Sequence, residues 1–412
     1  MKDEILSHLD NPAQLEKLYR RNKPAFKQAF NALQPELSGS VLAAYWRERL
    51  NYAGGIAWGT RTELMVVLIA ALLAGLFAKV PQIFSIDEQF FYQRNVGFVI
   101  FPLLTAYFVW KTKSSVKGLV LIAGATLLAL FFINVFPTGK RDTLLLSCIH
   151  LPIFLWFILG VAFTGVRPGD VLGRLKFLTY NGDLVVITAI MLLAGVLLSG
   201  ITISLFSLIG LGIEKAYFEY VGIFGLAATP IIGTYLVQAN PQLVGTVSPV
   251  IAKIFSPLVL VMLVAYLAAI CFSGRDPYND RDFLLVFNAL LIGVMAIIYF
   301  SIAEMDATVF GGIEVWILLL LAGLTLLVNG IALSAILFRI SEWGITPNRA
   351  AVLGSNGLML VNLLLVTVQL FRAVKDGANR AAVGNSMAMY LPIYGIWALI
   401  VTFVFPLLFD FR

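Results

Sequence analysis

From Leu64 onward the chain alternates between long runs free of charge and short polar connectors. A helix needs roughly 20 apolar residues, at ~1.5 Å each, to cross ~30 Å of hydrocarbon. Stretches near that length fall at 62–84, 95–110, 118–136, 143–165, 184–210, 218–239, 253–273, 283–303, 313–338, 350–372 and 386–409. The pattern predicts an all-α polytopic transmembrane bundle over 62–412 with about eleven spans; ten to twelve are compatible with it. The second stretch is short. The sixth carries Gly222, Gly225, Pro230 and Gly233, which fit a broken or re-entrant segment, although its length favours a full crossing. Pro102, Pro152, Pro230, Pro257, Pro392 and Pro406 lie inside spans, where each withdraws a backbone donor and favours a kink. An irregular bundle is expected.

Residues 1–61 precede the first run and read as short helices. Asn11-Pro12 marks a helix start through Leu15, Leu18 and Tyr19; Phe26, Phe30 and Leu33 share the face of a second helix. A third, over 38–52, sets Leu42, Tyr45 and Trp46 on its apolar side. Nine Lys or Arg residues fall here, and the charged start, short apolar core and small-residue cleavage site of a secretory leader are absent. The segment fits either an amphipathic stretch on the anionic cytoplasmic leaflet or a docking platform for a protein partner.

Composition sharpens the membrane reading. Charged residues make up 13% and hydrophobic ones 60%, with a mean hydropathy of +0.90. Soluble domains average about 25% charged residues, so a water-soluble fold is excluded and a lipid bilayer is the expected surrounding. The net charge of +6 fits Lys/Arg enrichment of cytoplasmic segments. No basic cluster in a folded aqueous domain points to nucleic acid. The same asymmetry puts the N-terminus inside, together with Lys111, Lys113, Lys117, Arg167, Arg174 and Lys176. Eleven crossings would put Arg372, Lys375 and Arg380 inside, with Arg275, Arg281, Arg339 and Arg349 outside; a non-spanning sixth segment reverses these. Among the connectors, 167–182 fits a short interfacial helix with Tyr180 at headgroup level. Residues 240–252 are uncharged, and 274–282 form the most hydrophilic loop.

Candidate chemistry is sparse. Cys148 and Cys271 sit in apolar runs as small core residues, and neither histidine has the neighbours of a zinc motif. His150 precedes Pro152 and fits a neutral ring bonded to a backbone carbonyl freed by the proline. Glu304 and Asp306 follow span eight; they suit an ordinary connector, or a cation or proton site at a mouth. The strongest constellation is polar: Asn288 in span eight, Asn329 in span nine, and Ser355, Asn356, Asn362 and Gln369 in span ten. Ser355, Asn362 and Gln369 are seven apart and share a drifting helical stripe. Such a stripe must face protein or water, either as inter-helix bonding or as a polar path. Gly330/Ser334 and Gly195/Ser199 offer small faces for close packing. The tetrapeptide LLAG at 72–75, 192–195 and 320–323 is expected to be chance recurrence in a chain this rich in Leu, Ala and Gly.

No catalytic constellation and no cofactor site are visible, so a non-enzyme is expected. The leading expectation is a permease-like carrier of a small molecule or lipid-related solute. In it Asn329, Asn356, Asn362 and Gln369 line a path, with Glu304, Asp306 and Arg349 as mouth or coupling candidates. The alternative is a scaffold of an envelope assembly that docks a partner through 1–61.

Trp343-Gly344-Ile345-Thr346-Pro347-Asn348-Arg349 resembles the Tyr/Trp-Gly-Leu/Ile-Thr-x-Asn-Arg signature of a bacterial family of multi-span membrane proteins of unknown function. The N-terminal LEKLYRRNKPAFKQAFNAL and YWRERLNY resemble the cytoplasmic head of its Bacteroidetes-type members. The resemblance implies an inner-membrane location and ten to twelve spans, and no activity. Read physically, Gly344 permits a turn, Thr346-Pro347 forces an extended approach, and Asn348 or Arg349 would cap or anchor span ten.

Overall fold

The structure, a computed structural model, describes the chain except residues 1, 22, 34–36, 38–40, 52–58, 138, 140, 168, 209–210, 241–251, 266, 269–277, 279–280, 305–312, 377–379 and 412. It divides into two compact units, Met1–Ala57 and Trp58–Arg412.

The first unit holds α1 (Lys2–Leu6), α2 (Pro12–Arg21), α3 (Lys23–Ala32) and α4 (Val41–Asn51). Asn11 Oδ1 accepts the Gln14 amide at 3.2 Å, so α2 starts on a capped proline at the position where no N–H is needed. Ile5, Leu15, Phe26, Phe30, Leu33 and Trp46 bury one another. The rings of Tyr19 and Phe26 stand 5.5 and 5.1 Å from that of Trp46. The apolar side chains expected to rest on lipid are thus largely spent on a private core. Tyr45, expected on the apolar side of α4, is instead 71% exposed.

The second unit is built of helices and short connectors, with no strand among its described residues. It comprises α5 (Arg61–Ala78), α6 (Val80–Phe84), α7 (Glu88–Thr112), α8 (Val116–Val135), α9 (Asp142–Phe163), α10 (Val171–Leu208), α11 (Glu214–Ala216) and α12 (Ile223–Ala239). After these come α13 (Ala252–Ala265), α14 (Arg281–Glu304), α15 (Ile313–Trp343), α16 (Pro347–Asp376), α17 (Arg380–Leu399) and α18 (Phe405–Leu408). A π turn at Tyr217–Gly222 joins α11 to α12, and another at Ile400–Val404 joins α17 to α18. Among the described residues nine helices are long and apolar enough to cross a membrane. Two shorter apolar helical stretches, Ala252–Ala265 and Phe287–Ala303, fall on the seventh and eighth predicted spans. The fold is an all-α polytopic bundle.

Several boundaries differ from expectation for identifiable reasons. The second span is not short: Asp87 accepts the Phe90 amide at 2.7 Å and starts α7 at Glu88, because Arg94 and Asn95 are buried against protein. The supposed interfacial helix is the first part of α10, and Tyr180 is buried, its hydroxyl 2.8 Å from Thr234 Oγ1. The glycine- and proline-bearing sixth stretch is continuous helix and π turn over Glu214–Ala239. Of the small-residue faces, neither Gly195 nor Gly330 has a neighbour close enough to touch an added Cβ. Close approaches occur instead at Gly75 under Phe224, Gly182 under Phe300, Gly354 under Trp397 and Gly395 under Phe157. The three LLAG copies therefore share no packing role: Gly75 is pressed by a ring and Gly195 faces open space.

Apolar packing in this unit separates into two large cores and a small third one of Leu146, Ala351, Val401 and Phe405. One unites α5, α7, α8, α9, α10 and α12 around Val67, Phe98, Phe108, Leu151, Tyr180 and Ile231. The other unites α13 to α17 around Leu263, Leu291, Leu321, Leu363 and Met387. Prolines in the C-terminal helix create carbonyls that other helices satisfy. Pro392 returns no N–H to Ala388, and Arg174 of α10 donates to that carbonyl at 3.3 Å. Pro406 returns none to Thr402, and buried Ser147 of α9 donates there at 2.8 Å. With no water in hydrocarbon, such substitutes are what makes a kinked span tolerable.

Candidate functional site

The connector that leads into α16 is built for capping. Gly344 adopts φ +75°, which a glycine takes without strain, and its amide reaches the Ile340 carbonyl at 2.9 Å. Thr346 Oγ1 then accepts the Arg349 amide at 3.3 Å, so Thr346, rather than Asn348 or Arg349, caps α16. The Arg349 guanidinium turns back and donates to the carbonyls of Trp343 and Gly344 at 2.9 and 2.7 Å, lying 5.6 Å over the Trp343 ring. Arg349 closes the end of α15, and the distinctive heptapeptide acts as a two-sided helix cap.

Further along α16 the polar side chains turn into the bundle. Asn362 donates to the hydroxyl of Tyr299 on α14 and, at 3.1 Å, to that of Tyr394 on α17. Tyr394 in turn lies 3.7 Å from Met295 Sδ. Asn329 of α15 donates to the Asn356 carbonyl at 3.1 Å, and Ser355 accepts the indole N–H of Trp397 at 2.9 Å. Asn329 and Asn362 lie near the midpoints of α15 and α16, and Tyr394 near that of the apolar run Ala382–Leu408. Four helices thus bring together two buried polar groups, Asn329 with Asn356 and Asn362 with the two tyrosines, about 9 Å apart along α16.

These groups are buried beyond what their bonds require. Asn329, Asn356 and Asn362 are at most 1% exposed. Among the described residues no group hydrogen-bonds Asn329 Oδ1, Asn362 Oδ1, or either amide atom of Asn356. Amide atoms buried without partners cost about 1–3 kcal/mol each in proteins.

The other predicted residues lie apart. Gln369 is half-buried on α16, about two turns beyond Asn362. Asn288, with a buried and unpartnered Oδ1, lies on α14 about 16 Å along the axis from Tyr299. Asp306 and the side chain of Glu304 fall outside the described residues, as do Cys271 and, except Tyr278, nearly all of the 274–282 loop. His150 Nδ1 lies 2.9 Å from the Leu146 carbonyl, one turn back on its own helix, and not against the Cys148 carbonyl that Pro152 frees.

Sequence reasoning missed several polar groups. Tyr299 and Tyr394 read as span aromatics, although a buried tyrosine hydroxyl needs a partner, which is the signal that would have marked them. Arg94 is buried on α7, its guanidinium 4.3 Å from the Phe90 ring and 3.5 Å from the Phe136 carbonyl. Beside it, Asn95 and Asn134 exchange amide bonds at 2.9 and 2.8 Å. Glu63 accepts from Tyr107 at 2.6 Å and Lys111 at 2.9 Å. Lys79 pairs with Glu219 at 3.4 Å while lying 3.8 Å over the Tyr220 ring. These pairs tie α5, α7 and the π turn before α12 together. No group of three metal-ligating side chains occurs among the described residues.

Fold and site together define a polytopic α-helical integral membrane protein with buried polar groups in its C-terminal half. No known protein family, curated protein or solved structure matches the chain.

Proposed function

We propose that the protein is a permease-like carrier of a small polar solute, with its site among α14, α15, α16 and α17. The observation that carries this reading is the set of unpartnered amide atoms on Asn329, Asn356 and Asn362. Inter-helix bonding accounts for the Asn362–tyrosine and Ser355–Trp397 contacts, but a purely structural seam has no use for an amide that bonds to nothing. Water, or a hydroxyl- or amide-bearing solute, would satisfy such atoms, and carriers place their sites near the middle of the bilayer beside interrupted helices. Pro392 and the π turn at Ile400–Val404 supply such interruptions in the helix bearing Tyr394. The reading includes a bacterial inner-membrane location with a cytoplasmic N-terminus.

The test is aqueous access. In proteoliposomes, with Cys148 and Cys271 replaced by Ser, single cysteines at 329 and 356 should react with a charged methanethiosulfonate. A cysteine at lipid-facing Leu364 should not. Protection of 329 and 356 equal to that at 364 would reduce the cluster to helix-to-helix bonding.

A second reading rests on the first unit, whose private core leaves Val41 and Tyr45 on the surface. In it α4 docks a partner protein. Deleting residues 2–55 should then release that partner from a pull-down, and full retention of every partner would refute it.

A further inference from the structure

At the opposite end of α16 from the capped connector, α15 and α16 enclose a groove of about 440 Å³ lined by Leu319, Thr367, Val368, Phe371, Arg372 and Lys375. The Thr367 hydroxyl is spent on the Leu363 carbonyl at 2.7 Å. Among the lining side chains, that leaves only two cations to present polar hydrogen to an occupant. Arg372 and Lys375 are three apart on one exposed helix face, where like charges repel. The carboxylate in the first turn of α15, Glu314, is engaged by Lys253 at 3.0 Å. Below the cations the exposed face of α16 continues as Phe371, Val368, Leu365, Leu364 and Val361. From Val361 to Phe371 this apolar strip runs about 15 Å, half of a ~30 Å hydrocarbon core.

The geometry points to a binding site for an anionic phospholipid: phosphate between Arg372 and Lys375, acyl chain along the strip. Favourable placement of basic residues at a helix C-terminus explains one charge at this position. It does not explain two cations facing one groove whose other lining, Thr367 apart, is apolar. Basic pockets between membrane helices select anionic headgroups in this way. With eleven crossings this end lies on the cytoplasmic side, where the leaflet is negatively charged. The inference does not depend on the carrier reading, since it involves none of the buried asparagines.

The full-length chain would be purified from nanodiscs of phosphatidylcholine mixed with phosphatidylglycerol, and the retained lipid identified by native mass spectrometry. Two basic residues near the surface predict a preference for phosphatidylglycerol of roughly 30-fold. The double variant R372Q/K375Q, altered only at exposed side chains, should lose that preference while keeping its elution volume. L319W, which fills the apolar wall, should reduce retention of both lipids. Excess inorganic phosphate should displace little, since it lacks the chain. Equal retention of the two lipids by the native protein, or an unchanged preference in R372Q/K375Q, would overturn the site. Full displacement by inorganic phosphate would reassign it to a free anion.

Discussion

Replacing Asn356 and Asn362 by alanine, one at a time, should move stability in opposite directions. Asn356 is buried with neither amide atom bonded, so its removal relieves about 1–3 kcal/mol of unsatisfied burial. Alanine adds up to ~0.7 kcal/mol of helix preference. Against this stands the void left by the amide, on the order of 1 kcal/mol at ~24 cal/mol per Å³. Asn356→Ala should therefore come out neutral to about 2 kcal/mol more stable. Asn362 bonds two tyrosine hydroxyls on two other helices, and inter-helix bonds in lipid contribute roughly 0.6–2 kcal/mol each. With a void of similar size, offset by the helix preference and by relief of its own unbonded Oδ1, Asn362→Ala should lose about 1 kcal/mol. Equilibrium unfolding in bicelles by steric trapping resolves that gap. Equal destabilisation by both would mean that Asn356 is held by bonds after all, and the case for a polar site would fall with it. If Asn356→Ala instead gains stability while a cysteine at 329 loses its reactivity toward aqueous thiol reagents, stability has been gained at the expense of hydration.

Two further outcomes follow from the backbone. Ser147→Ala strips the substitute donor from the Thr402 carbonyl and should cost about 1–3 kcal/mol. In a Pro406→Ala background, where an N–H returns at 406, it should cost well under half as much. An identical cost in both backgrounds, measured as a double-mutant cycle, would refute the account of the kink. Gly344→Ala meets no neighbour, so its cost is that of the left-handed backbone alone, about 1–2 kcal/mol. Gly344→Asn should recover part of it in the same unfolding assay.

The span pattern was legible because crossing a bilayer is a local, additive requirement. Each run must be apolar for its own length and must close its own hydrogen bonds, whatever its neighbours do. The same property hid the packing. A helix such as α8, apolar on every side, carries no mark of which face is inward, and it buries only Gly118, Ile122, Ala129 and Ile133 in its full length. Counting apolar residues also started the second span too late, because Arg94 and Asn95 are polar yet buried by protein rather than water.

The polar stripe on α16 could be read from spacing, since helical periodicity alone stacks Ser355, Asn362 and Gln369. What each of those groups meets could not. Asn362 finds Tyr299 and Tyr394, Ser355 finds Trp397, and Asn329 finds a backbone carbonyl, across separations of 27 to 63 residues. The sequence by itself determined that this chain lives in a membrane and that its tenth span turns amides away from lipid. That amides of two helices are buried against their neighbours, and that some of them stay unbonded, came only from how the helices pack. Solubility in hydrocarbon is a sum over residues, whereas a hydrogen bond between helices depends on where two distant backbones come to rest.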